Sequence, residues 1–233
     1  MSDALIQVRG VTKTFFGKSE DVTPLKDLDL TIPRGDFVAL MGPSGSGKTT
    51  LLHLLAGIDK PTEGTVHVGE TEVSALGSRA LARWRNRHVG FVFQQYNLVP
   101  VLTARENVEL PLLLDKLSSS ERERKVAVAL DAVGLSDRAS HLPRELSGGQ
   151  QQRVAVARAI VAGPELILAD EPTGNLDEKA AFAILDLLKE LHARFGQTLV
   201  MVTHDPRAAE AAARVIHLDK GRVTADDSAE AGA

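Results

Sequence analysis

Residues 37–54 read FVALMGPSGSGKTTLLHL, and this stretch decides the fold. Its first five residues form a continuous apolar run, which is the pattern of a strand buried on both faces of a sheet. Residues 42–49 match the pattern G-x-x-x-x-G-K-[ST], and residues 49–56 then have helical character up to Gly57. A strand, a glycine-rich loop and a helix in this order predict a phosphate-binding loop.

The predicted loop brings several kinds of group to one phosphate. Its glycines let backbone N–H groups turn toward a common point, and the following helix adds the partial positive charge of its N-terminus. Lys48 can reach the β- and γ-phosphates, and the Thr49 hydroxyl can bind Mg²⁺. The predicted phosphate-binding residues are Gly42, Pro43, Ser44, Gly45, Ser46, Gly47, Lys48, Thr49 and Thr50. The alternative is a flexible turn with an incidental lysine, but that leaves the flanking strand and helix unexplained.

Two further apolar runs, at residues 166–169 and 199–202, alternate with helical patterns. This alternation predicts an α/β fold with a parallel sheet. The N-terminal third indicates short strands instead, and residues 25–32 alternate between apolar and polar as a half-buried strand does. The middle of the chain has helical spacing and is interpreted as an insertion. We expect a single domain at residues 5–223, with its core at about 5–93 and 164–223, a helical subdomain at about 97–162, and a loose tail at 224–233.

Composition narrows the class of protein. The 233 residues are 43% apolar and 25% charged, with a net charge of −4, so nothing marks the chain as a nucleic-acid binder. The chain has no cysteine, which excludes disulfide bonds and thiolate metal sites. No apolar run approaches the roughly 18 residues of a membrane span, and the first residues lack a signal-peptide pattern. We therefore expect a cytosolic chain that meets a membrane only through a partner.

Two adjacent carboxylates, Asp170 and Glu171, follow the apolar run at residues 166–169. In open α/β sheets, ligands bind at the carboxyl ends of the strands. Alone, the pair would be interpreted as a turn before Pro172. Beside a phosphate loop, Asp170 is expected to bind Mg²⁺, and Glu171 to accept a proton from an attacking water.

A second candidate anion site has the sequence LSGGQ at residues 146–150. Ser147 and Gln150 have the spacing of a capping box, which indicates the start of a helix. Gly148 and Gly149 are poor helix formers, so their presence favours bare backbone N–H groups that an anion can approach. The ligand that suits this arrangement is a γ-phosphate held in the loop of a second copy of the chain.

The LSGGQ sequence resembles the signature of the ATP-binding cassette (ABC) ATPases, and the resemblance covers roughly residues 5–223. It implies a P-loop NTPase of RecA-like fold, with an N-terminal antiparallel β subdomain and an inserted α-helical subdomain. It also implies ATP and Mg²⁺ as ligands. Two copies of the chain would sandwich two ATP molecules, each between residues 42–49 of one copy and residues 147–150 of the other.

The resemblance gives roles to residues that the pattern alone leaves open. Gln94 resembles the glutamine that contacts Mg²⁺ and the attacking water, and Asp177 resembles the aspartate at the dimer interface. His204 resembles the switch histidine that contacts the γ-phosphate. Phe15 falls where the family places an aromatic ring on the adenine, although tyrosine is usual there and Phe16 is adjacent. The implied catalytic residues are Lys48, Gln94, Glu171 and His204.

Residues 91–111 and 170–177 are similar to the lipoprotein-release and macrolide-export type of ABC ATPase. That type works with an integral-membrane permease, which implies a docking region between Gln94 and Pro111 and a location on the cytoplasmic face of the inner membrane. The alternative is a regulatory ABC ATPase that gates a cell-wall hydrolase or a signalling complex without transport. A DNA-repair or translation ATPase usually carries two cassettes or a long coiled coil, and a small-molecule kinase leaves LSGGQ and His204 unexplained.

A basic cluster precedes the docking region and has three interpretations. The first is a solvated helix face, the second a contact with anionic headgroups or with the permease, and the third, given the net charge of −4, a contact with nucleic acid. The cluster consists of Arg79, Arg83, Arg85, Arg87 and His88.

Overall fold

The computed structural model describes residues 4–228, and these residues form two compact units. The phosphate-loop unit comprises residues 4–85 and 197–228, and the signature unit comprises residues 86–196. Both units contain helices and parallel strands, so the predicted α/β fold is confirmed. Within residues 4–228, no helix combines the length and the apolar composition that a membrane crossing requires.

The strands and helices of the described residues are as follows. The strands are β1 (Ala4–Phe15), β2 (Val22–Pro33), β3 (Phe37–Met41), β4 (Glu63–Val68), β5 (Thr71–Glu72), β6 (Val89–Val92), β7 (Leu166–Asp170), β8 (Thr198–Val202), β9 (Arg214–Asp219) and β10 (Arg222–Ser228). The α-helices are α1 (Lys48–Leu55), α2 (Ser78–His88), α3 (Ala104–Glu109), α4 (Ser119–Ala132), α5 (Gly148–Ile160), α6 (Glu178–Phe195) and α7 (Pro206–Ala209). Short 3-10 helices occupy Val73–Ala75, Leu110–Leu114, Ser136–Arg138 and Pro143–Glu145.

The phosphate-loop unit contains an antiparallel sheet in the order β2-β1-β4-β5. Its inner face is apolar because alternate side chains of β2, including Leu28, Leu30 and Ile32, are buried. The sequence indicates short strands in this part of the chain, yet β1 runs without interruption from Ala4 to Phe15. Its register with β2 shifts after Val8, and such an irregularity breaks the alternation on which a prediction from sequence depends.

The same unit contains four strands in the order β10-β9-β3-β8. Strand β3 is parallel to both β8 and β9, and β10 is antiparallel to β9. Every residue of β8 is buried, as are the first four of β3, which explains the continuous apolar runs in the sequence. Leu40 of β3 lies opposite Val202 of β8, so the loops that follow these two strands leave the same edge of the sheet.

The signature unit places helices around a parallel pair of strands. Val92 of β6 lies opposite Ala169 of β7, so the segments after these two residues also leave one common edge. Helix α5 packs against α3, α4, α6 and β6, and the side chains of Val154, Val156 and Ala157 in α5 are buried. The signature helix is therefore the central helix of its unit.

The C-terminal residues differ from the prediction. The sequence predicts a loose tail over residues 224–233, but residues 224–228 belong to β10 and pair with β9. Arg214 of β9 donates to both carboxylate oxygens of Asp226, at 2.6 and 2.5 Å. The prediction is wrong for this part because an acidic residue assigned to the tail has a basic partner on the adjacent strand. Residues 229–233 lie outside the described residues.

The basic cluster lies on α2 and the residues around its end, and its members have different surroundings. Arg79, Arg83 and Arg87 are exposed at intervals of four residues, which agrees with a solvated helix face. Arg85 instead donates to the Gly57 carbonyl at 2.8 Å, and His88 lies 2.8 Å from a carboxylate oxygen of Glu165. Two of the five basic side chains, those of Arg85 and His88, therefore make polar contacts within their own unit.

Candidate functional site

The loop between β3 and α1 presents a helix N-terminus. Gly47 is the N-cap of α1 with φ 101°, a left-handed conformation that favours glycine, and a Cβ there would collide with the Pro24 carbonyl. The first turn of α1 has no acidic side chain, so nothing in that turn neutralises the partial positive charge of the helix. Gly45 has open space on the side where a Cβ would lie. These features suit the binding of an anion.

Lys48 adds a full positive charge to this loop. Its side chain is only 7% exposed, and its ammonium donates to the carbonyl oxygens of Gly42 at 2.7 Å and Pro43 at 2.9 Å. A third contact joins it to the Ser46 hydroxyl at 3.3 Å. The ammonium is thus held within the loop. Thr49, on the first turn of α1, is exposed.

The structure brings His204 to the same edge of the sheet as this loop. His204 lies two residues beyond Val202, and the loop begins two residues beyond Leu40, the partner of Val202. The backbone beside it is fixed, because Thr203 donates its N–H to the Leu40 carbonyl at 3.2 Å and its hydroxyl accepts the Asp205 N–H at 3.1 Å. The exposed imidazole is therefore presented from a fixed segment.

Phe15 offers an exposed aromatic ring at the end of β1. The ring is 47% exposed, and the ammonium of Lys13 lies 4.7 Å from its centroid. Strand β2, which pairs with β1, places the Pro24 carbonyl against Gly47. The neighbouring Phe16 is more exposed still, so exposure alone does not distinguish the two rings.

Gln94 and Glu171 converge at the carboxyl edge of the signature unit. Asp170 ends β7, and Glu171 follows it with φ 45°, which is uncommon for a residue with a side chain. The Gly174 N–H donates to the Glu171 carbonyl at 3.0 Å and closes the turn. A Cβ at Gly174 would lie 2.8 Å from Nε2 of Gln94 and 3.3 Å from Oε2 of Glu171. The predicted glutamine and carboxylate are thus brought together against one glycine.

Helix α5 begins at Ser147 with the predicted capping box. The Gln150 N–H donates to the Ser147 hydroxyl at 3.3 Å, and the Ser147 N–H donates to the Gln150 side-chain oxygen at 2.9 Å. The first turn has no acidic residue. A Cβ at Gly148 would lie 2.9 Å from the Tyr96 hydroxyl oxygen. That glycine therefore also permits close packing, a second reason for its presence that the sequence did not reveal.

Asp177 has a local partner. It is the N-cap of α6, and its carboxylate accepts the Ala180 N–H at 2.9 Å. The residue is exposed. Its place at a dimer interface stays a prediction.

Two polar side chains of α5 donate hydrogen bonds to the segments that contain Gln94 and Glu171, and the sequence did not reveal either contact. Gln152 is fully buried, and its Nε2 donates to the carbonyl oxygens of Pro172 at 2.6 Å and Phe93 at 3.3 Å. The Arg158 guanidinium donates to the carbonyl oxygens of Asn97 at 2.6 Å and Tyr96 at 2.8 Å, and burial lowers the pKa of Arg158. The available signal was a polar residue on an otherwise apolar helix face.

Comparison with known proteins assigns the family. Residues 25–174 match the family model described as ABC transporter. The chain is 46% identical over 226 residues to the macrolide export ATP-binding/permease protein MacB of Burkholderia thailandensis, covering 97% of this chain and 34% of MacB. It therefore spans about a third of that relative's length. It is 45% identical over 225 residues to the lipoprotein-releasing system ATP-binding protein LolD of Legionella pneumophila, covering 97% and 99% of the two chains.

A solved structure shares the whole fold. It is a dimer of the ATP-binding cassette MJ0796, from Methanocaldococcus jannaschii, in a post-hydrolysis state with ADP and inorganic phosphate bound. The TM-score is 0.89 at 43% identity, and the match covers 97% of this chain and 100% of that one. The chain described here belongs to the ABC transporter family and is one of its ATP-binding, ATP-hydrolysing cassettes.

Proposed function

We propose that two copies of the chain form a head-to-tail dimer that hydrolyses two ATP molecules to drive an integral-membrane permease. The observation that carries the proposal is a pair of helix N-termini, at Gly47 and Ser147, that both lack an acidic residue in the first turn. Helices α4 and α6 each have a glutamate there, at Glu121 and Glu178. Such N-termini attract anions. The dimeric form of MJ0796 supports the assembly.

The phosphate-loop unit binds the nucleotide in this proposal. The backbone N–H groups of residues 42–50, except Pro43, which has none, and the ammonium of Lys48 hold the triphosphate, and the Phe15 ring stacks on the adenine. Residues 147–150 of the second copy close on the γ-phosphate. The burial of Lys48 within the loop and the exposure of Ser147 support this division, since one is fixed in its own chain and the other is accessible to a second.

The proposed reaction is the attack of water on the γ-phosphorus. Glu171 accepts a proton from the water, the new P–O bond forms, and the bond to the bridging oxygen breaks, leaving ADP and phosphate. Gln94 orients the water, and His204 donates a hydrogen bond to the γ-phosphate. The convergence of Gln94 and Glu171 on Gly174 supports their joint role. Asp177 is proposed to contact the second copy.

Mg²⁺ is the proposed metal. The Thr49 hydroxyl, the Asp170 carboxylate and the side-chain oxygen of Gln94 are hard oxygen donors, which fit Mg²⁺. One or two protein oxygens suffice, because Mg²⁺ usually keeps water and substrate phosphates as its other ligands. When bound there, Mg²⁺ would offset the negative charge of the nucleotide's phosphates.

Exposed apolar side chains support a docking region between Gln94 and Pro111. Val101 is 79% exposed, and Leu114, just beyond that region, is 75% exposed. Val99 and Leu113 are also exposed. An exposed apolar group of this kind suits contact with a protein partner. The names of MacB and LolD support a permease of the macrolide-export or lipoprotein-release type as the partner, and the proposed location of the chain is the cytoplasmic face of the membrane.

The variant Glu171→Gln tests the proposed chemistry. It keeps the shape of the side chain but lacks the proton acceptor, so turnover should fall about 100-fold or more while ATP still binds. ATP-bound variant should then accumulate as a dimer in size-exclusion chromatography with light scattering. Glu190→Gln, an exposed change on α6, is the matched control. Parent-level hydrolysis by Glu171→Gln would rule out Glu171 as the base.

A further inference from the structure

Gln152 connects the signature helix to both segments that carry predicted catalytic residues. Its Nε2 has two hydrogens, and each has an acceptor: the carbonyl of Phe93, which precedes Gln94, and the carbonyl of Pro172, which follows Glu171. The side chain is completely buried. It therefore holds the residues adjacent to Gln94 and Glu171 at one common point on α5.

The segment around Gln94 is held by further side chains. Asn175 donates its Nδ2 to the Gln94 carbonyl at 3.1 Å, and Arg158 of α5 donates to the carbonyls of Tyr96 and Asn97. Four carbonyl groups of this short segment thus accept hydrogen bonds from side chains, and three of the four accept from Gln152 or Arg158 of α5. The segment has little freedom to move independently of that helix.

The amide oxygen of Gln152 gives a second indication of its role. Oε1 is buried and has no hydrogen-bond partner in the described part of the chain. Burying an unpaired acceptor costs roughly 1–3 kcal/mol, a cost that the two hydrogen bonds from Nε2 to backbone carbonyls offset. Both N–H groups of the Gln152 amide are hydrogen-bonded, whereas its oxygen is not. This asymmetry indicates that the two hydrogen bonds to carbonyls are the main contribution of the Gln152 side chain.

We infer that Gln152 is a positioning residue that fixes Gln94 relative to Glu171 and makes their arrangement depend on helix α5. Its effect on turnover rests on the proposed function. Because Ser147 caps the same helix, a displacement of α5 by a phosphate bound at its N-terminus carries both catalytic segments with it. Occupancy of one nucleotide site is thereby transmitted to the other.

Two variants of Gln152 and one control test the inference. Gln152→Met keeps the volume of the side chain but removes both N–H donors. Gln152→Glu keeps the shape of the side chain but replaces the donating NH₂ group with an oxygen, which cannot donate to the two carbonyls. Gln151→Met is the matched control, because Gln151 also donates to a backbone carbonyl, that of Leu146, but touches neither catalytic segment. Each purified full chain is analysed by amide hydrogen exchange over residues 93–97 and 171–175, by ATP titration, and by steady-state kinetics.

Gln152→Met should raise exchange in both segments by about tenfold or more and lower kcat at least about tenfold, because small misplacements of catalytic groups are costly. Its Kd for ATP should stay within about twofold of the parent, and Gln151→Met should match the parent throughout. A loss of packing alone would raise exchange across α5 as well, and that result overturns the inference. Unchanged exchange at residues 93–97 in both Gln152 variants also overturns it. If the parent itself failed to hydrolyse ATP, the proposed function would fall, while the exchange result would still decide the role of Gln152.

Discussion

Gly174 lies against the side-chain amide of Gln94, so closely that a Cβ at Gly174 would be 2.8 Å from Nε2. The same Cβ would lie 3.3 Å from Oε2 of Glu171. The absence of a side chain at position 174 therefore leaves the space that the side chains of Gln94 and Glu171 border.

Gly174→Ala is expected to lower kcat by about tenfold or more, because the added methyl group displaces Gln94 or Glu171 by a fraction of an ångström. Affinity for ATP should change by less than about threefold, since neither Gln94 nor Glu171 is among the residues proposed to hold the triphosphate. Steady-state kinetics and nucleotide titration measure the two effects. Gly77→Ala is the control, because a Cβ at Gly77 meets nothing within 4 Å. Equal kcat values for the two alanine variants would contradict the prediction.

Ser147→Arg should abolish turnover without weakening ATP binding by the single chain. The arginine removes the helix cap, and its long side chain fills the space proposed for the γ-phosphate of a second copy. Ser118→Arg is a closely matched control, because Ser118 is the N-cap of α4 and forms the same kind of capping box, with Glu121. Both variants should lose roughly 1 kcal/mol of folding stability, and only Ser147→Arg should lose activity. Loss of nucleotide binding by monomeric Ser147→Arg would contradict a site shared between two chains.

Val101→Asp should separate the ATPase from its membrane partner. A charge on this exposed side chain makes an apolar contact unfavourable, but it leaves both units folded. Membranes from the source cell, solubilised in mild detergent, should yield a permease with the tagged parent and not with the variant. ATP hydrolysis by the isolated chain should be unchanged. Val128→Asp is the control, because Val128 is an exposed apolar residue of α4 outside the docking region. Equal loss of the permease from both variants would argue against this docking region.

Asp226→Asn should weaken the last strand and reduce the dependence of stability on acid. The hydrogen bonds from Arg214 lower the pKa of Asp226 below 3.8. A carboxylate with a lowered pKa in the folded state contributes stability above its unfolded pKa, and that contribution is lost as the pH falls through the folded value. The contribution at pH 7 should be under about 1 kcal/mol, because the pair is partly exposed and screened.

Urea unfolding at pH 7 and at pH 2 to 3 checks this expectation, with Asp186→Asn on α6 as an exposed control. The difference between the parent and Asp226→Asn should be present at pH 7 and shrink in acid. An unchanged difference at both pH values would mean that the pair is not the origin of the effect.

Sequence predicted those parts of the fold that residues specify locally. The apolar run Phe37–Met41, bounded by Asp36 and Gly42, matches strand β3 at both ends, because a fully buried strand has a simple composition. The phosphate loop and the capping box at Ser147 were also predicted, since each depends on residues a few positions apart.

The features that were missed depend on partners far along the chain. Gln152 differs from an ordinary surface glutamine only because α5 packs against β6 and brings it to Phe93 and Pro172. Strand β10 was missed because its acidic composition indicates a tail until Arg214 is placed beside it. In both cases the contact that gives the residue its role forms only when the tertiary fold brings distant segments of the chain together.

The left-handed backbone of Glu171 has a consequence for stability. A residue with a side chain gives up roughly 1 kcal/mol in this conformation, and glycine does not. Glu171→Gly should therefore melt at a higher temperature than the parent by scanning calorimetry, even though it hydrolyses no ATP. Selection for thermal tolerance alone would remove the carboxylate, so its presence is the compromise expected if Glu171 activates water as proposed.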